Sequence, residues 1–185
     1  MLFMSCEEKN LEVLPLQSES GFFNAVIEIP AGTNKKYEYH PESLTFEIDQ
    51  RNGTDRVINY LPYFANYGYI PSTISDVSKG GDGDPLDVFV ISESLPQGTL
   101  IPIIPLAAVQ LTDDNEEDYK IISVPADEEL NLLKVKNFSE LKAKHPSVIL
   151  IIETWLSNYD SDPVEIKGWL DEEQAEKYIL DNRKI

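Results

Sequence analysis

Between Phe22 and Val124 the apolar residues come in short runs ended by glycine, proline or polar turns, and helical spacing takes over only from Phe138 onward. Phe23, Ala25, Ile27 and Ile29 alternate with Asn24, Val26 and Glu28, the period of a strand with Glu28 opposite its apolar face. Pro30-Ala31-Gly32 ends that run. Lys36–Tyr39 and Leu44–Ile48 read as two more short strands, and Arg51-Asn52-Gly53-Thr54 as a turn between extended segments. Leu86–Ile91, Leu100–Leu111 and Tyr119–Val124 follow, with Pro102 and Pro105 placing part of the middle run at an edge or bulge. Phe138–Lys144 and Pro146–Leu156 then read as helices, the second with Val148, Ile149, Ile152, Trp155 and Leu156 on one face. Asp171-Glu172-Glu173-Gln174 is a capping box opening a last helix to about Asn182. Many strands followed by helices predict an α+β fold, mainly β, built on a small barrel or curled sheet.

The length of 185 residues suits one domain, here residues 21–185 behind a polar lead-in of residues 1–20. A formal charge of −18 with no basic stripe argues against a nucleic-acid partner. No run of apolar residues is long enough to span a membrane. Cys6 is the only cysteine, so an intrachain disulfide is excluded. Leu2-Phe3-Met4-Ser5-Cys6 looks like the end of a bacterial lipoprotein signal, but the charged and long apolar regions of such a signal are missing. The expectation is a cytoplasmic protein, with an envelope lipoprotein anchored at Cys6 as the alternative.

Gly81-Asp82-Gly83-Asp84-Pro85-Leu86-Asp87 sets three carboxylates on a bent segment. Such oxygen donors suit a hard divalent cation, and on their own they suit an acidic surface turn equally well. A calcium loop of the EF-hand type fails, because Leu86 and Asp87 stand where an oxygen ligand and a glycine are needed. A phosphate loop fails for want of Gly-Lys-Ser/Thr. In the second acidic run, Asp113 and Asp118 border strands, while Glu116 and Glu117 read as solvated. Lys36, Arg56 and Lys120 lie at or near strand ends. Tyr63, Tyr67 and Tyr69 form an aromatic stretch whose hydroxyls could meet a phosphate oxygen. His40 and His145 each precede a proline and read as structural. No Ser/His/Asp or Cys/His set offers a covalent nucleophile.

Asp82-Gly83-Asp84-Pro85-Leu86-Asp87-Val88 resembles the signature of the soluble family I inorganic pyrophosphatases of bacterial type. Val26–Pro30, Lys36-Tyr37-Glu38, Asp55-Arg56, Asn66-Tyr67-Gly68-Tyr69, Thr112-Asp113, Asp118-Tyr119-Lys120 and Trp155–Tyr159 resemble further motifs of that family in the same order. The resemblance implies an OB-like five-stranded β-barrel flanked by helices. It implies Mg²⁺-dependent hydrolysis of diphosphate to two phosphates, by a metal-activated water without a covalent intermediate, with several ions per site. Carried over by position, Asp82, Asp87, Asp113, Asp118 and Glu28 become metal-side ligands and Asp84 the general base. Lys36, Glu38, Arg56, Tyr67, Lys120 and Tyr159 become the substrate set. A homo-oligomer, a hexamer in the bacterial form, is implied as well.

The metal would also reconcile an acidic protein with an anionic substrate, since bound cations invert the local field. One position departs from the family pattern. Tyr159 is followed by Asp160 where bacterial members usually have lysine, with Lys167 as a candidate to reach the same phosphate. The expectation is weaker substrate binding, relieved by Asp160→Lys as a lower KM. Two rivals stand beside the hydrolase: a non-hydrolytic metal or phosphate-binding module, supported only by Asp160, and a hydrolase of nucleotides or other phosphate esters.

Overall fold

A computed structural model describes residues 10–113, 116–160 and 164–184, without the side chains of Lys79, Asp113 and Glu116. Cys6 and the Asp113 carboxylate therefore lie outside the described residues.

The strands are β1 (Phe23–Ile29), β2 (Tyr37–His40), β3 (Thr45–Ile48), β4 (Gln50–Arg51), β5 (Thr54–Asp55), β6 (Asn66–Tyr69), β7 (Asp87–Val90), β8 (Leu100–Asp113), β9 (Glu116–Pro125) and β10 (Glu165–Leu170). The helices are α1 (Phe138–Lys144), α2 (Pro146–Leu156) and α3 (Glu172–Asp181). In the main sheet β1, β6, β7, β9 and β8 are neighbours in that order, and β1 pairs back onto β8. The result is the expected closed ring of five strands, with β10 added outside β8. Only the β7–β9 pair is parallel within it.

Closure explains how β1 departs from a half-wet strand. All seven of its residues are buried, because the barrel interior takes one face and β2, β3 and the N-terminal segment cover the other. Glu28 is thereby carried inside, at 8% exposure. The prolines of β8 fall as expected: its register with β9 slips between Pro105 and Ala107, a bulge that lets one long strand serve both β1 and β9. Leu16 packs on the core around Ala25 and Ile27, so part of the lead-in lies against the barrel.

Helix α3 opens with the predicted capping box, Asp171 accepting from Gln174 N and Gln174 from Asp171 N. Its Ala175 and Ile179 seal one side of the barrel core, and Ile152, Trp155 and Leu156 of α2 seal another. The turn read at 51–54 is a hairpin joining β4 to β5, with Asn52 at φ 55° and Gly53 at φ 75°. Two consecutive positive φ values are the geometry in which Asn-Gly reverses a chain with least strain.

Candidate active site

Strand pairing gathers the acidic and cationic motifs at one cavity of roughly 280 Å³. Asp87 begins β7 and pairs with Tyr69 on β6, while Val88 lies beside Ile121 on the parallel β9. Lys120 and Asp118, two apart on β9, project to the same side of that strand. Asn66 anchors the tyrosine strand. Its amide donates to Val90 O at 3.2 Å and Glu93 O at 2.9 Å, and its carbonyl accepts from the backbone of Ala31 and Leu95. Gly68 has no alternative, because a Cβ there would lie 1.9 Å from Val26 O across the β1–β6 pair.

Glu28, Asp82, Asp84, Asp87 and Asp118 all line this cavity, together with Lys36, Glu38, Arg56, Tyr67, Lys120 and Tyr159. Every proposed site residue whose side chain is described is therefore present. Lys167 is not among the lining residues; it pairs with Glu165 at 2.6 Å. Two residues missing from the sequence-based set belong to the site's charge network. Asp49 holds Arg56 at 2.8 Å and Lys36 at 3.5 Å, and Arg51 lines the cavity from the β4–β5 hairpin. The only signal for Arg51 was its place in the hairpin turn.

Asp160, the departure from the family pattern, is engaged with arginines. It accepts from Arg56 Nη2 at 2.7 Å and from Arg51 Nη1 at 3.2 Å. Lys36 pairs with Glu38 at 2.6 Å, and Lys120 with Asp118 at 2.6 Å and with Asp87. Tyr159 stacks on Trp155, with ring centroids 4.8 Å apart. Trp155 is itself fixed by its indole N–H donating to Leu61 O at 2.9 Å.

Burial pushes the Glu28 carboxyl up to about 8, against the pull of the Tyr39 backbone N–H it accepts at 2.7 Å. Asp84 is held above the usual carboxylate range by partial withdrawal from water, then by Asp82 and Asp87. Asp118 is raised by burial despite its lysine. Burial opposes the charge on Lys120, yet Asp118 and Asp87 hold its ammonium protonated. Burial also raises Asp49, but the Arg56 hydrogen bond and the Lys36 and Arg56 charges outweigh it and bring the carboxyl below its ordinary value.

These donors fit a hard cation. All are carboxylates, and the buried Tyr69 hydroxyl, also on the cavity, has no hydrogen-bond partner among the described residues. Among the described residues no three His, Cys, Asp or Glu side chains are gathered closely enough to hold an ion by themselves. Carboxylate oxygens are the donors that Mg²⁺ takes, one or two at a time together with waters and phosphate oxygens.

A closed five-stranded ring carrying carboxylates and cations in one cavity defines a class of site whose donors suit hard cations and whose lysines and arginines suit phosphate oxygens. Residues 25–184 match the family model described as inorganic pyrophosphatase. The inorganic pyrophosphatase of Sulfolobus acidocaldarius is 31% identical over 172 residues, covering 91% of this chain and 94% of the relative. That of Synechocystis is 33% identical over 165 residues, covering 88% and 90%. The crystal structure of inorganic pyrophosphatase from Thermus thermophilus superposes with a TM-score of 0.80 at 26% identity, over 94% of this chain and 97% of that one. The chain belongs to the inorganic pyrophosphatase family, whose members are enzymes of the diphosphatase class.

Proposed function

We propose that the protein hydrolyses inorganic diphosphate to two phosphates with Mg²⁺, residues 21–185 acting as one domain behind the lead-in. The observation that carries this reading is the meeting of Asp82, Asp84, Asp87, Asp118 and Glu28 with Lys36, Arg56, Lys120, Tyr67 and Tyr159 in one cavity. Asp82, Asp87, Asp118 and Glu28 are the residues that would hold the ions, joined by Asp113. When bound, the ions supply charge neutralisation and lower the proton affinity of an attacking water. Asp84 accepts that water's proton, a role favoured by a carboxyl already raised by partial burial and then by its acidic neighbours.

Lys36, Arg56 and Lys120 neutralise the transferred phosphoryl group and the leaving phosphate. The Tyr67 and Tyr159 hydroxyls donate to phosphate oxygens, and Glu38 holds the Lys36 ammonium in position. The nucleophile is water, so no covalent intermediate forms. We place the enzyme in the cytoplasm as a homo-oligomer; no described helix is long and apolar enough to cross a membrane.

The test is phosphate release from diphosphate by the purified protein, first with Mg²⁺ and then with excess chelator. Rapid release that stops on chelation is expected. Diphosphate bound without release would make the protein a binding module, and equal turnover of nucleoside triphosphates with Mg²⁺ would move it to a broader hydrolase.

A further inference from the structure

Residues 72–75 tie the N- and C-terminal segments to the acidic loop. Ser72 sits at φ 57°, a left-handed backbone that residues with a side chain rarely adopt. Such a conformation persists where its surroundings over-determine it, and three hydrogen bonds do so here. Ser72 N donates to Glu12 O at 2.7 Å, Ser72 Oγ donates to Leu14 O at 2.8 Å, and Ser72 O accepts from Lys184 N at 2.9 Å. Ile74 N donates to Asn182 O at 2.8 Å, so Thr73 and Arg183 face each other in a short antiparallel bridge. The two terminal segments also meet, with Glu12 Oε2 3.4 Å from Lys184 Nζ. The same four residues hold the loop that carries Asp82, Asp84 and Asp87. Thr73 Oγ1 accepts from Leu86 N at 2.9 Å and donates to Ile70 O at 2.5 Å. Ser75 N donates to Asp84 O at 2.7 Å, and Ser75 O accepts from Gly83 N at 2.8 Å. Gly81 lies so close to Ser75 that a Cβ there would be 2.7 Å from the Ser75 carbonyl carbon.

Resting on the diphosphatase reading, we propose that this terminal clasp positions the metal-side loop. Ser72 and the backbone of Lys184 fix residues 73–75, and those residues fix the run from Asp82 to Asp87. The layout of the contacts carries the inference. Ser72 O and Ile74 N reach the C-terminal segment, while the Thr73 hydroxyl and both backbone groups of Ser75 reach the loop. The bonds to the loop fall on backbone groups of Gly83, Asp84 and Leu86, so they set the path of the chain and leave the Asp84 and Asp87 carboxylates to the cavity they line. Thr73 is fully buried, so a displaced hydroxyl strands the Leu86 N–H away from water, and that cost couples a movement of the clasp to the loop. The loop also carries Gly80, Gly81 and Gly83, whose backbone freedom makes ordering it costly without outside partners. Ser72 and Lys184 are then positioning residues, remote from the reacting atoms. The competing account is a seam that adds stability to the fold while the loop holds its own shape.

The two accounts separate on the full chain, at a temperature well below each variant's unfolding midpoint. Lys184→Pro removes the N–H that Ser72 O accepts. Lys184→Met keeps that N–H and removes only the ion pair with Glu12. Mg²⁺ is titrated by calorimetry without substrate, and amide hydrogen exchange at Gly83 and Leu86 reports local opening of the loop. Lys184→Pro is expected to weaken Mg²⁺ binding about 3- to 10-fold and to speed exchange at both amides by a similar factor, the worth of about one hydrogen bond. Half-maximal hydrolysis of diphosphate should need correspondingly more Mg²⁺. Lys184→Met should shift Mg²⁺ affinity far less, because an exposed ion pair contributes little. Ser72→Ala removes only the bond to Leu14 O, should move both readouts in the same direction, and carries the test if Lys184→Pro does not fold. Wild-type Mg²⁺ affinity and wild-type exchange at Gly83 and Leu86 in these folded variants would overturn the proposal, whatever their Tm. An equal loss in Lys184→Met and Lys184→Pro would overturn it too, since the ion pair and not the backbone clasp would then act. A wild-type protein with no diphosphatase activity would instead fail the functional reading itself, and the exchange rates would still decide the clasp.

Discussion

Replacing Lys120 by methionine isolates the charge at the centre of the acidic wall. The substitution keeps an unbranched side chain of similar length and removes the ammonium, which lies 5.9 Å from the Tyr67 ring centroid and between Asp87 and Asp118. Two carboxylates then face each other without a counter-charge, and one of them, Asp118, is already raised by burial. Breaking a fully buried pair costs ~3–5 kcal/mol. Here the carboxylate side chains retain 25% and 22% exposure, so water screens part of the repulsion and the lower end, ~3 kcal/mol, applies. For a chain of this size about 1 kcal/mol moves Tm by about 2–4 °C, so the midpoint should fall by about 6–12 °C. The assay is thermal unfolding of wild type and variant in chelator, then in millimolar Mg²⁺. The gap should narrow with Mg²⁺, because a divalent cation at the same carboxylates restores the charge balance and stabilises the folded form by mass action. A midpoint within 2 °C of wild type in chelator, or a gap that Mg²⁺ leaves unchanged, would refute the view that Lys120 is the internal counter-ion of the metal-side carboxylates.

Asp84→Asn should slow hydrolysis by roughly 10²–10⁴-fold while phosphate affinity by calorimetry stays near wild type; a rate within a few-fold would remove Asp84 as the base. Gly68→Ala drives a Cβ to 1.9 Å from Val26 O, and since only backbone can move aside, a loss of ~3 kcal/mol is expected; an unchanged unfolding midpoint would contradict that clash. The Asp49 carboxyl titrates below its ordinary value in the folded protein, so its contribution is present above the ordinary value and fades as pH falls through the lowered one. Asp49→Asn should therefore lower Tm at pH 7 and approach wild type only as pH falls below the ordinary carboxylate value; a gap that widens on acidification would reverse the assigned sign.

Apart from the barrel and the distant site residues, which the family resemblance supplied, what was legible in the sequence was what local geometry can arrange. Asp82, Asp84 and Asp87 share one bent loop, and Asp118 and Lys120 sit two apart on one strand, so short-range spacing already places them together. The capping box of α3 and the Asn-Gly reversal are equally local, and both formed where the residues called for them. The burial of Glu28 was not legible, because an alternating strand has the same pattern whether its second face meets water or another layer. Only closure of the ring decides that, and closure is what raises the Glu28 carboxyl. The Asp160 contacts were hidden for a related reason. They join segments 109 and 104 residues apart in sequence, and no periodicity links them. Read along the chain, Asp160 is a negative charge beside a substrate tyrosine. Read in space, it is the shared acceptor of two arginines, and its effect on an incoming phosphate depends on whether it repels that anion or holds Arg56 in place for it. Two charges of opposite sign on neighbouring groups do not sum to a local field that sequence can supply. The geometry of the guanidinium contacts sets the direction of the effect, which makes the sign of the KM change in Asp160→Asn the measurement that separates repulsion from positioning.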